Sequence, residues 1–490
     1  MCGIFGIHSR QVDVANLTYF GLFALQHRGQ ESAGIAVGDG ERVRVHRGMG
    51  LVAQVFSPET VADLAGDGGT EAAHSFVSIG HTRYSTSGAS RAENAHPVPF
   101  VHPVLGPGAI AHNGNLINCD AMRRRLEEEE GVEFETGVDT EVLARLIEHT
   151  HGSDWEEVLK RVFSQVVGAY CCAIVTRDAV IAIRDPYGFR PLCVGFIPAT
   201  GDEGRRRRHP GQPAHVVASE TCALDTVNAT FVREVQPGEL VILDDHGVSA
   251  VPLQRAGRHA MCVFEFIYFA RPDSIIKGCE LEEARIRMGH ELVREQPVDA
   301  DMVFGLPDSG TPAAIGYAEA SGIPYREGLI KSRYINRTFI QPDPSLRDAG
   351  VMLKLNPLRR SLKGKRVVAV DDSIVRGTTA RRIIEMLRRA GAAEVHVRVS
   401  SPPMRFPCFM GVDIGSTKQL VAAGRTVEEV REYLGADSLA YLSIPALLRA
   451  VGRGTSDQFC RACFDGSYPV PVPQQLEMDK MVFEPVGAGP

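Results

Sequence analysis

Near residue 260 the chain changes rhythm, and that change demands two folds rather than one. Before it, short β runs at 33–37, 77–80, 109–112, 171–175, 180–184 and 240–243 follow one another, each bounded by Gly, Pro, Asn or Asp. Helical spacing is confined to 14–26, where Leu17, Phe20, Gly21, Ala24 and Leu25 recur, to 121–130, and to the stretch after Asp139. Beyond residue 260 apolar runs alternate with helical ones. The run 301–304 leads through Gly-Leu-Pro-Asp-Ser-Gly into a helix over 311–320. The run 365–370 leads through Asp-Asp-Ser-Ile-Val-Arg-Gly-Thr-Thr into a helix over 380–390, with Ile383, Ile384 and Leu387 on one face and Gly391 closing it. Val395, Val397 and Val399 form the next strand. Such repetition builds βαβ units and a parallel sheet with its site at the carboxyl ends of the strands. A polar stretch at 244–258 reads as the linker, and 490 residues are too many for one ordinary domain.

Charge and composition exclude several classes. A formal charge of -7 leaves no basic field for nucleic acid or an anionic membrane, so neither is expected as a partner. The four-residue basic run at 205–208 reads as a solvated loop. The start lacks the basic and apolar regions of a secretory signal. The longest apolar candidate for a membrane span, 261–270, is short and contains Glu265. A cytoplasmic protein is expected, and in that compartment the eleven cysteines do not form a disulfide framework. Cys171, Cys172 and Cys193 read as strand filling, whereas Cys460-Arg-Ala-Cys463 is a half-site for zinc, a redox pair or neither.

Two sets of residues carry chemistry. In Met1-Cys2-Gly3-Ile4-Phe5-Gly6, removal of the initiator Met would leave a thiol and a free amine on one residue. With ordinary pKa values of about 7.7–8.0 for the amine and about 8.5 for the thiol, the amine can serve as the base for its own nucleophile. Cys2 also fits a buried strand start. His112-Asn113-Gly114-Asn115-Leu116 offers an oxyanion hole, from the Asn113 side-chain amide and the Gly114 N–H at a strand end, or an Asn-Gly turn. Arg83 in His-Thr-Arg-Tyr-Ser-Thr offers a clamp for a carboxylate, or a salt bridge. Asp139 is a helix N-cap or a partner for an ammonium group. In the second half, Val367-Val-Ala-Val-Asp371-Asp372-Ser373-Ile-Val-Arg-Gly377-Thr378-Thr379 is a buried strand, two acids and a turn opening a helix. Its N–H groups and hydroxyls suit a phosphate, and its carboxylates suit ribose hydroxyls and Mg²⁺.

Taken together these motifs carry a resemblance. Cys-Gly-Ile-Phe-Gly, Leu25-Gln-His-Arg-Gly-Gln-Glu-Ser-Ala-Gly-Ile35, His81-Thr-Arg-Tyr-Ser-Thr86, His-Asn-Gly-Asn-Leu, Asp139-Thr-Glu and Arg184-Asp-Pro-Tyr-Gly-Phe-Arg-Pro-Leu192 resemble the glutamine-amidotransferase domain of the N-terminal-nucleophile hydrolases. The Asp371–Asp372 string resembles the phosphoribosylpyrophosphate (PRPP) motif of type I phosphoribosyltransferases, and Gly305-Leu-Pro-Asp-Ser309-Gly310 their pyrophosphate loop. The stretch 329–342, with Lys331, Arg333 and Arg337, resembles a loop that closes over PRPP, although Ser332 and Asn336 stand where Asn and Gly are more usual. In combination the motifs resemble the amidophosphoribosyltransferase family.

The resemblance implies an α+β N-terminal-nucleophile domain of four αββα layers over 2–245. An α/β type I phosphoribosyltransferase domain with a parallel sheet follows over 260–450, and then a tail, 451–490, that carries cysteines. It implies that Cys2 attacks glutamine's carboxamide, that Asn113 and Gly114 hold the oxyanion, and that Arg83, Thr86 and Asp139 bind the rest of glutamine. Ammonia would then displace pyrophosphate at C1 of PRPP to give 5-phosphoribosylamine, the entry step of purine synthesis. Lys331, Asp371, Asp372, Ser373, Gly377, Thr378 and Thr379 would bind PRPP, with Mg²⁺ held by Ser309, Asp371 and Asp372. One branch of the family carries a 4Fe-4S cluster, whose ligands correspond to Cys262, Cys408, Cys460 and Cys463. Members of that branch often carry a short propeptide, where here only Met1 precedes the cysteine. Purine nucleotides as inhibitors and a homo-oligomer, tetramer or dimer, are also implied. Amidotransferases that make amino sugars or asparagine would share the first half but not the PRPP string. A PRPP-sensing transcriptional regulator would need no N-terminal cysteine.

Overall fold

The computed structural model describes residues 2–66, 74–85, 88–199, 212–332, 354–452 and 458–472. Thr86, the basic run at 205–208 and the part of the PRPP-closing loop from 333 on lie outside the described residues.

The chain enters a strand almost at once. β1 (Gly3–His8) alternates its side chains between two apolar layers, with Ile4 on one face and Phe5 and Ile7 on the other. It stands inside a seven-stranded antiparallel sheet with β2 (Ser32–Gly38), β3 (Val43–Met49), β4 (Val77–Arg83), β9 (Cys193–Ile197), β10 (Ala214–Ala218) and β11 (Thr230–Glu234), in the order β11-β9-β10-β1-β4-β2-β3. A second antiparallel sheet, in the order β13-β12-β8-β7-β6-β5, consists of β5 (Val98–His102), β6 (Gly106–Leu116), β7 (Gly168–Val175), β8 (Val180–Arg184), β12 (Glu239–Asp244) and β13 (Gly247–Pro252).

The two sheets pack face to face, Ile4, Ile79 and Val217 against Ala111, Ala173 and Val180. Helix Val14–Ala24 covers the outer face of the first sheet through Leu22, and helices Asp139–His149 and Trp155–Phe163 cover the second through Leu143 and Phe163. With both faces of each sheet buried, the four αββα layers follow. This is also why Cys171-Cys172-Ala-Ile-Val reads as an unbroken apolar run.

The polar stretch expected to be a linker is not wholly one. Its residues Gly247–Pro252 form β13, which pairs with β12 and carries the first domain past the boundary at 245. β13 is an edge strand, largely exposed, so it lacks the apolar run that marks a buried strand.

In the second half β14 (Met302–Gly305), β15 (Arg366–Asp371), β16 (Glu394–Val399) and β17 (Ser438–Tyr441) form a parallel sheet in chain order. β15 sends Val368 and Val370 toward Tyr317 and Met288 on one side. It sends Val367 and Ala369 toward Ile383 and Leu387 on the other. Helix Thr378–Arg389 begins two residues before the expected start and is capped by Ala390, with Gly391 just beyond it.

Buried charge joins the halves. Glu265, on a π-helical turn over Glu265–Phe269, accepts from Arg28 Nη2 at 2.6 Å and faces Arg190 Nη1 at 3.4 Å. Glu220 accepts from Arg28 Nε, from Ser274 Oγ at 2.6 Å and from the Arg271 N–H at 2.8 Å. Arg28, Arg190, Glu220 and Glu265 have no exposed side-chain surface.

Candidate active sites

Cys2 ends up buried because β1 starts beside it, and only 8% of the residue is accessible. Its Sγ donates to the Tyr84 carbonyl at 3.6 Å, and its backbone N donates to Asn113 Oδ1 at 3.2 Å. That second bond orients the Asn113 amide. Its Nδ2 is fully buried and has no acceptor among the described residues, a donor held ready beside the thiol. The strand expected to end at His112 runs on to Leu116, because β7 keeps pairing with it as far as Gly168. Asn113-Gly114 is therefore not a turn. Gly114 is required by close approach: a Cβ there would stand 1.9 Å from the Ala169 carbonyl oxygen.

Asp139 is not a helix N-cap. Val138 occupies that position and Asp139 is the first helical residue, so its carboxylate faces β6 instead. Asp139 Oδ2 accepts from the Leu116 N–H at 3.2 Å, and Oδ1 lies 3.4 Å from His112 Nδ1. Burial pushes the Asp139 carboxyl up, but His112, the Leu116 N–H and Arg83 outweigh it and hold the group below its usual range. Burial lowers His112, yet Asp139, joined by Cys2 and the Ala169 carbonyl, more than offsets it and the imidazole titrates above its ordinary value. Nearby His81 is different. Burial pulls it down to about 3, so it is neutral, and its Nε2 lies 3.1 Å from the His112 carbonyl.

Arg83 closes β4 almost wholly buried. Its Nη1 bonds Glu31 and lies 3.3 Å from the Ala89 carbonyl, while Glu31 Oε2 also accepts from Ser85 Oγ at 2.6 Å. The fold thus brings Cys2, Asn113, Gly114, Arg83 and Asp139 together. Reading the sequence did not single out Glu31 or His112, although both lie inside quoted motifs, because nothing in a linear string says which strands will be neighbours.

At the carboxyl end of β15, Asp371 and Asp372 are adjacent, and the Asp372 N–H returns to Asp371 Oδ1 at 2.9 Å. Burial first, and Asp372 second, push the Asp371 carboxyl well up, so the pair favours a cation beside it. Ser309 Oγ and Ser373 Oγ both donate to the Asp372 carboxylate. The pyrophosphate-loop candidate bends over the strand end, where a Cβ on Gly310 would stand 2.4 Å from the Val370 carbonyl oxygen. Lys331 reaches the same loop through its ion pair with Asp308. Gly377, at φ +75°, starts helix Thr378–Arg389, and Thr378 and Thr379 are exposed at its N-terminus, where an anion is favoured.

The four candidate cluster cysteines lie in one neighbourhood, near enough to influence one another's ionisation. The short strand Met261–Cys262 pairs in parallel with Phe459–Cys460, so that Cys262 lies opposite Cys460. Cys408 Sγ accepts from the Met410 N–H at 3.4 Å, and the Cys463 carbonyl takes the N–H groups of Arg405 and Phe406. Burial pushes Cys262 up to about 11 against the pull of Arg190, and burial together with Cys262 and Cys408 drives Cys463 well up. These are thiols that a metal centre would have to ionise. Among the described residues no three His, Cys, Asp or Glu side chains converge on the position of a single ion.

Residues 82–201 match the family model for glutamine amidotransferase domains, and residues 280–401 that for phosphoribosyl transferase domains. The amidophosphoribosyltransferase of Synechocystis sp. is 48% identical over 490 residues, an alignment covering 99% of this chain and 94% of that one. The chain belongs to the amidophosphoribosyltransferase family. The amidophosphoribosyltransferase of Archaeoglobus fulgidus is 49% identical over 477 residues, covering 96% of this chain and 99% of the relative. Among solved amidophosphoribosyltransferase relatives, the glutamine PRPP amidotransferase of Bacillus subtilis, complexed with ADP and GMP, superposes with a TM-score of 0.85 at 45% identity, over 97% of this chain and 98% of that one. No helix among the described residues is long and apolar enough to cross a membrane.

Proposed function

We propose that Cys2, freed of Met1, is the nucleophile of an enzyme that transfers the amide nitrogen of glutamine to PRPP in purine biosynthesis. The reaction itself follows from membership of the family. The assignment of its residues rests chiefly on one observation: the unpartnered Asn113 Nδ2 beside a thiol whose own backbone nitrogen is tied to the same side chain.

Cys2 Sγ attacks the carboxamide carbon, and the Cys2 amine takes the thiol proton and returns it to the departing ammonia. Once Met1 is removed, an amine that keeps the bond to Asn113 Oδ1 can turn its lone pair to the sulfur. Asn113 Nδ2 and the Gly114 N–H receive the developing oxyanion. Water then hydrolyses the glutamyl thioester to glutamate. Arg83 binds glutamine's α-carboxylate, and Asp139, kept ionised by His112, binds its ammonium group. Thr86 lies outside the described residues, and its place in this pocket remains part of the proposal.

Ammonia forms a C–N bond at C1 of PRPP as the C–O bond to pyrophosphate breaks. Ser373, Gly377, Thr378 and Thr379 hold the 5-phosphate at the helix N-terminus, and Lys331 faces the pyrophosphate. Asp371 and Asp372 suit Mg²⁺, since their mutual repulsion in a buried setting favours a divalent cation, and Ser309 stands beside them. When bound, the ion neutralises charge on the departing pyrophosphate. Cys262, Cys408, Cys460 and Cys463 would hold a 4Fe-4S cluster: they lie near enough to influence one another's ionisation, with the Arg190 guanidinium close to Cys262 and Cys408. The cluster would tie the start of the second domain to the C-terminal tail, in a structural or oxygen-sensing role. The ADP and GMP of the Bacillus subtilis complex support purine nucleotides as inhibitory ligands of this chain.

The test is Cys2→Ser assayed with glutamine and with ammonia. Glutamine-dependent synthesis should vanish while ammonia-dependent synthesis survives, and intact mass should find Met1 absent from active enzyme. Loss of both activities would contradict the assignment.

A further inference from the structure

We propose that residues 409–411, in the second domain, are a brace that sets the oxyanion hole of the first, which makes Asn115 and Gly411 positioning residues for amide hydrolysis. This rests on reading Asn113 and Gly114 as the oxyanion hole.

The loop touches the strand that bears the hole at two points. Asn115 Nδ2 donates to the Phe409 carbonyl at 3.1 Å, a buried bond between residues 294 positions apart. Gly411 lies directly on Gly114. At φ +89°, a Cβ on Gly411 would stand 2.8 Å from both the carbonyl carbon and the oxygen of Gly114. The loop is itself held from the first domain, since Arg190 Nη2 donates to the Met410 carbonyl. Phe409 and Met410 are buried, so nothing here is a loose surface contact.

The physical need is specific. Hydrogen bonds to β7 fix β6 within the plane of its sheet, and the Ala169 carbonyl blocks one side of Gly114. Gly411 packs against the same Gly114 peptide from the second domain. A donor must meet an oxyanion at about 2.7–3.1 Å, and a displacement of about 1 Å can cost about 10²-fold in rate. Contact from the second domain helps hold the peptide in place before glutamine arrives.

The experiment uses the full chain and compares Gly411→Ala, Asn115→Leu and Asn113→Ala under both nitrogen donors. Gly411→Ala pushes on the Gly114 peptide, and Asn115→Leu cuts the bond to Phe409 while keeping the number of side-chain heavy atoms. Each should lower kcat with glutamine by about 10- to 100-fold, with KM for glutamine little changed, because the hole acts on the transition state. The ammonia-dependent kcat should stay at the level of the unmodified enzyme. A structural lesion would lower both rates together. If Gly411→Ala and Asn115→Leu keep full glutamine-dependent turnover, or lose both activities in parallel, the brace is refuted. If Asn113→Ala keeps full glutamine-dependent turnover, the oxyanion assignment falls and takes the brace with it. If Asn113→Ala loses that turnover while the other two do not, the brace falls alone.

Discussion

Replacing Glu265 with Gln should loosen the joint between the halves more than any surface change can. The substitution keeps shape and volume and removes one charge. Glu265 is completely buried and lies between two equally buried guanidiniums, Arg28 at 2.6 Å and Arg190 at 3.4 Å. Without it Arg28 retains Glu220, but among the described residues the Arg190 side chain keeps only the Met410 carbonyl as a hydrogen-bond acceptor, and its Nε already lacks one. Removing one partner of a buried pair costs about 3–5 kcal/mol because the surviving charge stays desolvated. For an unfolding unit of about 150–250 residues each kcal/mol moves Tm by about 2–4 °C, so the expected fall is about 6–20 °C.

Calorimetry on Glu265→Gln, run at low and high salt, reads this directly. The exposed pair Arg10–Asp245 provides the comparison. A surface pair is worth about 0–1 kcal/mol, so Asp245→Asn should shift Tm by no more than about 4 °C, and salt should erase the shift. The buried effect should persist in salt. A fall in Glu265→Gln no larger than that of Asp245→Asn, or one abolished by salt, would refute the reasoning.

Asp139→Asn should lower the titration of the His112 imidazole, because burial is then opposed only by Cys2 and the Ala169 carbonyl; histidine NMR titration reads it, and an unmoved His112 would break the pairing argument. Asp139 is depressed, so its share of the pairing energy is present above pH 3.8 and lost as pH falls through the folded value. His112 is raised, so its share is present below pH 6.5 and lost as pH rises through the folded value. The stability difference from Asp139→Asn should therefore peak between these two limits. Asp371→Asn with Asp372→Asn should abolish synthesis from both nitrogen donors, and substantial turnover by the double variant would remove these acids from the reaction centre. Anaerobic purification should yield a brown protein with about four irons per chain, and colourless, iron-free, fully active protein would exclude the cluster.

The period of the apolar residues was enough to divide the chain, because a βαβ repeat and a run of short strands are local patterns. The Asp371–Thr379 string likewise carries its own context, since strand, acids, turn and helix N-terminus are consecutive. Edge strand β13 escaped for the opposite reason: half-solvated residues look like a loop until β12 pairs with them. Asp139 shows the limit most clearly. Its position before a helical run predicts a cap, a local partner, yet its carboxylate turns to His112 and Leu116, more than twenty positions away in the chain. The bonding of Asn113 to Cys2, the seat of Glu265 between Arg28 and Arg190, and the contact of Gly411 with Gly114 are of the same kind. Local sequence determined the elements and the types of chemical group available, because spacing along a strand or helix sets which residues share a face. Only the tertiary structure decided which of those groups face one another, because a desolvated charge or amide is satisfied by whatever packing brings against it, however far away in the chain.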